Sequence, residues 1–358
     1  MRRKTLTTRD KSEVVKCTAC GADMAFDIAS GRLVCPYCGN ANAVESKSTS
    51  SRDYFTYKND GAVSFEGIVV RCPNCDSEME IADFSTAVNC PFCGASNVQK
   101  TDTLPGLKPD SILPFKLVKE EAIEIAKKTV KKNFFAPGKL KKSFNAEHFN
   151  GVYTPVFLFD AGSKSSYNGR LGEYYYVTVG TGENKRTERR VRYINISGNY
   201  QRNFNSIAVE ASSNLNQNEL NKLMPFDYDN QVAYDSKYVA GMQAERYNTS
   251  LEESFGVAKN TMDSIIKKEI LAQYKYDFVD YINIDSLYNP VRFRYLFVPL
   301  WICAYKYRKK NYRLFVNART GKAYGKLPKS VFKILLLILL GLGIIGALIY
   351  LFVFSGVI

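Results

Sequence analysis

The chain has 358 residues, 46% hydrophobic and 23% charged, with 49 Lys plus Arg against 35 Asp plus Glu for a net charge of +14. That length allows about two to three domains, and the composition excludes wholesale disorder, a collagen-like repeat and a small disulfide scaffold. A single histidine, His148, excludes His-based catalysis and His-rich metal sites as the organising chemistry.

The opening stretch MRRKTLTTRDK has no apolar core and does not read as a secretory leader. Cysteines come next, in a repeating pattern. Cys17-x2-Cys20 is followed after 14 residues by Cys35-x2-Cys38, and Cys72-x2-Cys75 after 14 residues by Cys90-x2-Cys93. Every ligand recurs at an offset of 55, as do Val15/Val70, Met24/Met79, Pro36/Pro91, Gly39/Gly94 and Asn42/Asn97, so the segment is an internal duplication.

Four thiolates at this spacing suit one tetrahedral Zn²⁺ per repeat, each C-x2-C lying on a tight turn that aims two sulfurs at one point. Gly39 and Gly94 stand where such a turn favours positive φ, and short strands at Arg32–Val34 and Ala87–Asn89 would bridge the turns. Such modules are too small for a core of their own, so metal binding supplies much of their folding free energy. All four ligands are committed, which reads as structural rather than catalytic. Disulfides are the alternative in an oxidising compartment, and a rubredoxin-like iron site has the same ligand set. The ninth cysteine, Cys303, lies in an apolar strand and reads as core.

Ribbons of this kind often bind nucleic acid. Residues 61–104, however, hold two cations, Arg71 and Lys100, against six carboxylates. That sign repels a phosphate backbone, so protein partners fit the ribbons better. The basic residues Arg2, Arg3, Lys4 and Arg9 form a short extension that reads equally as a nucleic-acid contact or a solvated tail.

The polar, Ser-rich residues 45–62 read as a flexible linker between the ribbons, and residues 101–110 as a second linker. Residues 111–330 read as one α+β domain. Lys119 to Phe135 has helical periodicity, with Ile123, Ala126, Val130 and Phe134 on one face and Glu124 paired with Lys128. Strands are expected at Val152–Asp160, Glu173–Gly180, Glu188–Tyr200, Phe278–Asn283, Val291–Tyr307 and Tyr312–Val316. A short helix is expected at Asn216–Leu223. A longer one starts at the Ser250/Glu253 capping box and buries Leu251, Phe255, Ala258, Met262 and Ile265. Tyr153-Thr-Pro155-Val-Phe157 is echoed by Phe297-Val-Pro299-Leu-Trp301, which suggests two similar hairpins in one sheet system. Thr320-Gly321-Lys322 lacks the upstream glycines of a phosphate loop and reads as a turn. The domain shows no catalytic constellation, since Glu147-His148 stands without a nucleophile nearby in sequence, and the expectation is a non-enzyme.

From Ile334 to Phe354 come 21 residues without a charge, about 31 Å of helix and enough to cross a bilayer core of about 30 Å. Residues 331–354 therefore read as one transmembrane helix, followed by the short tail 355–358. The expected protein is single-pass and tail-anchored, with its mass in the cytoplasm by the positive-inside rule. After Asp285 there is no acidic residue, while twelve cations precede the span. Arg308, Lys309, Lys310, Arg313, Lys326, Lys329 and Lys333 are the residues expected to face anionic lipid. Gly343 and Ala347 form a small-xxx-small pair through which the span could self-associate.

The duplicated ribbon, ILPFK at 112–116, FFAPGKLKK at 134–142, GVYTPVFLFDA at 151–161 and VPLWICAYKYRKKNYRLFVNARTGKAYGKLP at 298–328 resemble a bacterial family of zinc-ribbon membrane proteins. Such proteins are labelled by similarity to the ribbons of transcription factor B or of a primosomal helicase. The chain departs from that family at Ala318-Arg319, where Gly and a polar residue are usual. The resemblance implies a cytoplasmic-side membrane protein of bacterial envelope stress systems, partnered with SPFH-domain or phage-shock-type proteins.

The expected fold class is thus two small β zinc ribbons, an α+β domain with an antiparallel sheet, and one C-terminal transmembrane helix. The expected function is a membrane-anchored adaptor with two Zn²⁺ ions. A membrane-tethered nucleic-acid binder and an iron redox protein are the alternatives.

Overall fold

The computed structural model describes residues 15–44, 49–60, 65–66, 68–81, 90–93, 95, 99–100, 105–144, 149–212, 214–239, 242–308 and 310–354. The first module carries β1 (Ala25–Asp27), β2 (Arg32–Val34) and β3 (Ala41–Ala43). Then come β4 (Arg52–Asp53), α1 (Tyr54–Asp60), β5 (Phe65–Glu66), β6 (Ile68–Arg71), β7 (Glu78–Ile81), β8 (Gln99–Lys100), β9 (Pro105–Gly106) and β10 (Ser111–Ile112). α2 (Lys119–Lys132) and α3 (Gly138–Ser143) lead into two long strands, β11 (Phe149–Val179) and β12 (Arg186–Glu210). α4 (Gln217–Leu223), β13 (Val232–Ala233), β14 (Gln243–Glu245) and α5 (Leu251–Leu271) follow. The chain closes with β15 (Phe278–Tyr307), β16 (Lys310–Asn317), β17 (Ala323–Gly325) and α6 (Val331–Phe354).

Where the sequence suggests separate strands, β11, β12 and β15 run through. β11 pairs antiparallel with β12 from Val156↔Glu210 to Val179↔Arg186, and with β15 from Phe149↔Cys303 to Gly172↔Phe278. Between 156 and 172 β11 has a partner on each edge, with register shifts at 159/161, 161/163 and 170/171, and a glycine there can become a point of close approach. At Gly169 a Cβ would stand 2.7 Å from the Tyr281 carbonyl oxygen. The two echoed motifs face each other as register partners, Tyr153↔Pro299 and Pro155↔Phe297. The sheet is mixed rather than antiparallel throughout, because β10 joins β15 and β14 joins β11 in parallel. Both are short strands returned by long connections, the condition parallel pairing requires.

One face of this sheet is covered by α5. The Ser250 hydroxyl accepts the Glu253 N–H at 3.2 Å and starts the helix, which buries Ala258, Met262, Ile266 and Ile270. Leu251, Phe255 and Ile265 are only partly buried. On β11, Ser163, Ser165, Tyr167 and Leu171 are buried, and Lys164, Ser166, Asn168 and Arg170 alternate to the exposed side. Tyr153, Phe157, Phe159, Phe293, Tyr295 and Phe297 fill the centre, with Phe157 and Tyr295 rings 5.4 Å apart. α2 buries Ala122, Ala126 and Val130 but stops at Lys132, leaving Phe134 exposed, and Glu124 pairs with Lys127 rather than Lys128. Cys303 is fully buried, and burial pushes its thiol up to about 12.

Within residues 45–62 the expected flexible linker gives way to structure. β4 pairs with β15 at Asp53↔Arg292, and Tyr54 is buried with its ring 4.5 Å from that of Phe255. Arg52 Nε donates to Asp110 Oδ1 at 2.7 Å, tying this segment to the end of the second linker, where Leu107 is buried too. Burying one aromatic side chain stabilises by about 2–3 kcal/mol, which adds to the pairing with β15 and the Arg52–Asp110 ion pair in offsetting the cost of ordering the segment.

α6 spans 24 residues, about 36 Å. Its stretch Val331–Leu351 is long and apolar enough to cross a membrane, and none of it is buried against the rest of the protein.

Candidate metal centres

Each centre starts from two local turns. In the first repeat Cys17 N donates to the Ala22 carbonyl at 2.7 Å and Gly21 N to the Cys17 carbonyl at 2.8 Å. In the second, Cys72 N donates to the Ser77 carbonyl at 3.0 Å and Asp76 N to the Cys72 carbonyl at 2.8 Å. Gly21 and Asp76 occupy the same turn position, both at positive φ, 75° and 57°. The Lys16↔Asp23 bridge recurs as Arg71↔Glu78. The second turns match as well, Cys35 N to Asn40 O at 2.9 Å and Cys90 N to Ala95 O at 2.8 Å, with Gly39 at φ 72°. The expected strand at 32–34 is β2, while residues 87–89 and Gly94 lie outside the described residues.

These turns bring the eight sulfurs into two groups of four, each within 4.8 Å. Cys17–Cys38 and Cys20–Cys35 are 3.5 Å apart, and Cys72–Cys93 and Cys75–Cys90 are 3.6 Å apart. A tetrahedron with metal–sulfur bonds near 2.3 Å has edges of about 3.8 Å, so both groups could hold a metal ion. The thiols are electrostatically incomplete by themselves. The bond from the Cys90 thiol holds Cys75 down at about 4, and that same bond, with burial, pushes Cys90 up. Four adjacent thiols cannot all ionise unless a cation offsets the charge.

The surroundings of the two centres differ. In the second, the buried Ser77 hydroxyl lies 3.1 Å from the Cys75 sulfur and 3.3 Å from that of Cys90. The matching residue of the first repeat is Ala22, and there the Asn40 amide donates to Cys17 at 3.6 Å instead. Cys17, Cys35, Cys72 and Cys90 are all buried, but Cys20 and Cys38 are exposed where their counterparts Cys75 and Cys93 are half-buried. The second module is built into the main sheet. β7 pairs with β14 at Glu80↔Ala244 and Met79↔Glu245, and Val70, Met79 and Phe92 share a core with Leu113, Val152 and Leu300. Phe92 is 3% exposed. Its counterpart at the same turn position in the first repeat, Tyr37, is 83% exposed.

The basic residues expected to face lipid divide. Arg308, Lys310 and Lys329 are exposed or half-exposed beside the start of α6, and Lys309 lies outside the described residues. Arg313 is half-buried and donates to Asn214 Oδ1 at 3.2 Å beside the buried Glu245, whose carboxylate its charge favours, so its guanidinium is engaged by the protein itself. Lys326 is 3.9 Å from Glu219, and Lys333 donates to the Phe134 and Ala136 carbonyls at 2.8 and 3.1 Å. Arg319 donates to Asp227 Oδ1 at 2.7 Å and to the Pro114 carbonyl at 3.0 Å, locking its turn to the core. Glu147 and His148 lie outside the described residues.

Sequence reasoning missed Ser77, Tyr37 and a buried cluster of Glu245, Ser212, Asn214 and Glu210. The offset of 55 already sets Ser77 against Ala22 and Tyr37 against Phe92. Only burial shows that these differences matter.

The chain is 29% identical over 320 residues to an uncharacterized protein, YdjG, of Bacillus subtilis (strain 168), a match covering 88% of this chain and 90% of that one. No family model and no solved structure matches the chain.

Proposed function

We propose that this chain is a non-enzymatic, membrane-anchored adaptor in which each four-cysteine group holds a structural Zn²⁺ ion and the first module carries a protein-binding surface. The observation behind this reading is the contrast between Tyr37 and Phe92. The second module uses Phe92 to seat itself on the sheet, whereas the first leaves Tyr37 open to solvent at the same point of the repeat. An aromatic ring on a metal-stiffened turn is a low-entropy anchor for a partner. Closed four-sulfur sites favour structure over catalysis, and the acidic second repeat disfavours nucleic acid. α6 is the membrane anchor, with the two modules on the cytoplasmic side and membrane-associated proteins as partners, of the SPFH or phage-shock type that the family resemblance implies.

Proximity labelling in intact cells tests this with the full chain and with Tyr37→Ala. The expected result is a set of membrane-associated neighbours lost in the variant, while both chains stay in the membrane fraction and retain two zinc ions by elemental analysis. An unchanged neighbour set removes the adaptor role from this surface. Iron in place of zinc makes the centres redox sites.

A further inference from the structure

A cavity of about 310 Å³ lies between the β15–β16 turn and the entry into α6. Its walls include Tyr307, Arg308, Lys310 and Tyr312 from the hairpin and Lys329 and Ser330 from the entry, with three cations, three hydroxyls and no carboxylate. Among the described residues, none of the three cations has a carboxylate within 4.0 Å, unlike the ion-paired Lys326 nearby.

The hairpin closes at Tyr307↔Lys310, with Arg308 in its turn. Two-residue turns of this kind normally take Asn-Gly, because positive φ is required. Here Arg308 sits at φ 46°, a conformation costing an ordinary side chain about 1–2 kcal/mol. A local rule broken in this way marks a position kept for something other than folding.

Height relative to the anchor selects the ligand. Val331 and Phe332 at the start of α6 are 67% and 75% exposed, and Phe134 beside them is 57% exposed. Lys333 donates to the Phe134 and Ala136 carbonyls and Ser330 N to the Phe135 carbonyl at 2.8 Å, so this apolar rim and the cavity are joined to the helix. The uncharged run starts at Ile334, about one turn above Lys329 and Ser330. With the hydrocarbon beginning at that run, the cavity falls at the depth of lipid phosphates.

We propose that this cavity binds the phosphodiester headgroup of an anionic, amine-free phospholipid, with Arg308, Lys310 and Lys329 as its cationic contacts and the Tyr307, Tyr312 and Ser330 hydroxyls as further donors. A zwitterionic headgroup would bring its ammonium against three cations, so the site discriminates between lipids as well as holding them. The proposal rests on the reading of α6 as a membrane anchor.

The test reconstitutes the full chain in phosphatidylcholine vesicles with or without phosphatidylglycerol and measures retained lipid by native mass spectrometry. Three proteins are compared: the natural chain, the triple variant Arg308→Gln, Lys310→Gln and Lys329→Gln, and a charge-matched control, Lys128→Gln, Lys131→Gln and Lys132→Gln on α2. The natural chain and the control are expected to retain phosphatidylglycerol selectively. The pocket variant should lose on the order of a hundredfold, since each cation near an anionic surface contributes roughly fivefold. Equal loss in both variants, or no preference in the natural chain, overturns the proposal. Displacement of the lipid by glycerol phosphate at equal concentration also overturns it, assigning the site to a soluble phosphate. Alkaline carbonate extraction separates the two failures. An extractable chain sinks the anchor and this site together, whereas an integral chain without lipid preference sinks this site alone.

Discussion

The Ser77 hydroxyl lies 3.3 Å from the Cys90 sulfur in the second centre, while the matching position of the first repeat is Ala22. One repeat thus steadies its sulfurs with a buried hydroxyl, the other with the more exposed Asn40 amide. The two centres share a ligand set and differ in what holds it.

Replacing Ser77 with Ala is expected to weaken metal retention at the second centre by about 10–100-fold, the usual effect of removing a group that supports a metal ligand. The first centre should be unaffected. Competition with a chromogenic chelator resolves the two classes of ion, and a uniform change at both would show that Ser77 acts through general stability.

Chelation should empty the centres in order. Cys20 and Cys38 are exposed where their counterparts Cys75 and Cys93 are half-buried, the inner pairs Cys17/Cys35 and Cys72/Cys90 being buried in both modules, and the second module is also paired to the main sheet through β7 and β14. Metal loss from the first module is expected to raise amide exchange across residues 17–38 while β6 and β7 stay protected by pairing with β14. Hydrogen exchange during a chelator titration reads this. Simultaneous loss of protection in both modules contradicts it.

Asn317 is a buried hub of the core. Its amide donates to the Leu223 and Pro225 carbonyls at 3.0 and 3.1 Å, and its oxygen accepts the Arg319 and Thr320 N–H groups at 2.9 and 3.2 Å. Asn317→Leu strands these partners and should cost about 2–4 kcal/mol in denaturant unfolding of the detergent-solubilised chain. A loss under about 0.5 kcal/mol, typical of a surface change, would be incompatible with this role.

Glu245 is fully buried, accepting from Asn214 Nδ2 at 2.7 Å and from the Ser212 hydroxyl, with Arg313 nearby. Burial pushes its carboxyl up to about 7. Burial, reinforced by the Glu245 charge, pushes Glu210 up to about 8. Both folded values exceed the unfolded one near 4.5. The folded state therefore holds more protons between about 4.5 and 8, and stability falls as pH rises through that window. Metal binding by thiols has the opposite sign, so the measurement uses saturating zinc. Glu245→Gln, permanently neutral, should gain stability relative to the natural chain as pH goes from about 5 to about 8. A constant difference in melting temperature across that range rules the effect out.

Several features were legible because they are local. A C-x2-C turn is closed within five or six residues, so the ligand positions and the positive φ of Gly39 follow from spacing. The Ser250/Glu253 cap is equally local. The long strands read as shorter pieces for the complementary reason: Gly169 is carried through β11 by Ile196 on one side and Ile282 on the other, and Gly162, paired with Asn203, sits at a register shift against β15. Residues 52–60 read as a linker because their polar composition outweighs Tyr54, whose burial depends on Phe255, far along the chain.

Short-range spacing and composition carry the two groups of four cysteines, the repeat that relates them and the uncharged run 334–354 within α6. Only the tertiary structure decided that the second module fuses to the sheet while the first leaves Tyr37 open, and that Tyr153 pairs with Pro299. It also decided that of the basic residues near α6, Arg313 donates to Asn214 while Arg308, Lys310 and Lys329 surround a cavity. These relationships join positions far apart in the chain, where loop closure and the burial of a shared apolar face choose the partner and no local signal records the choice.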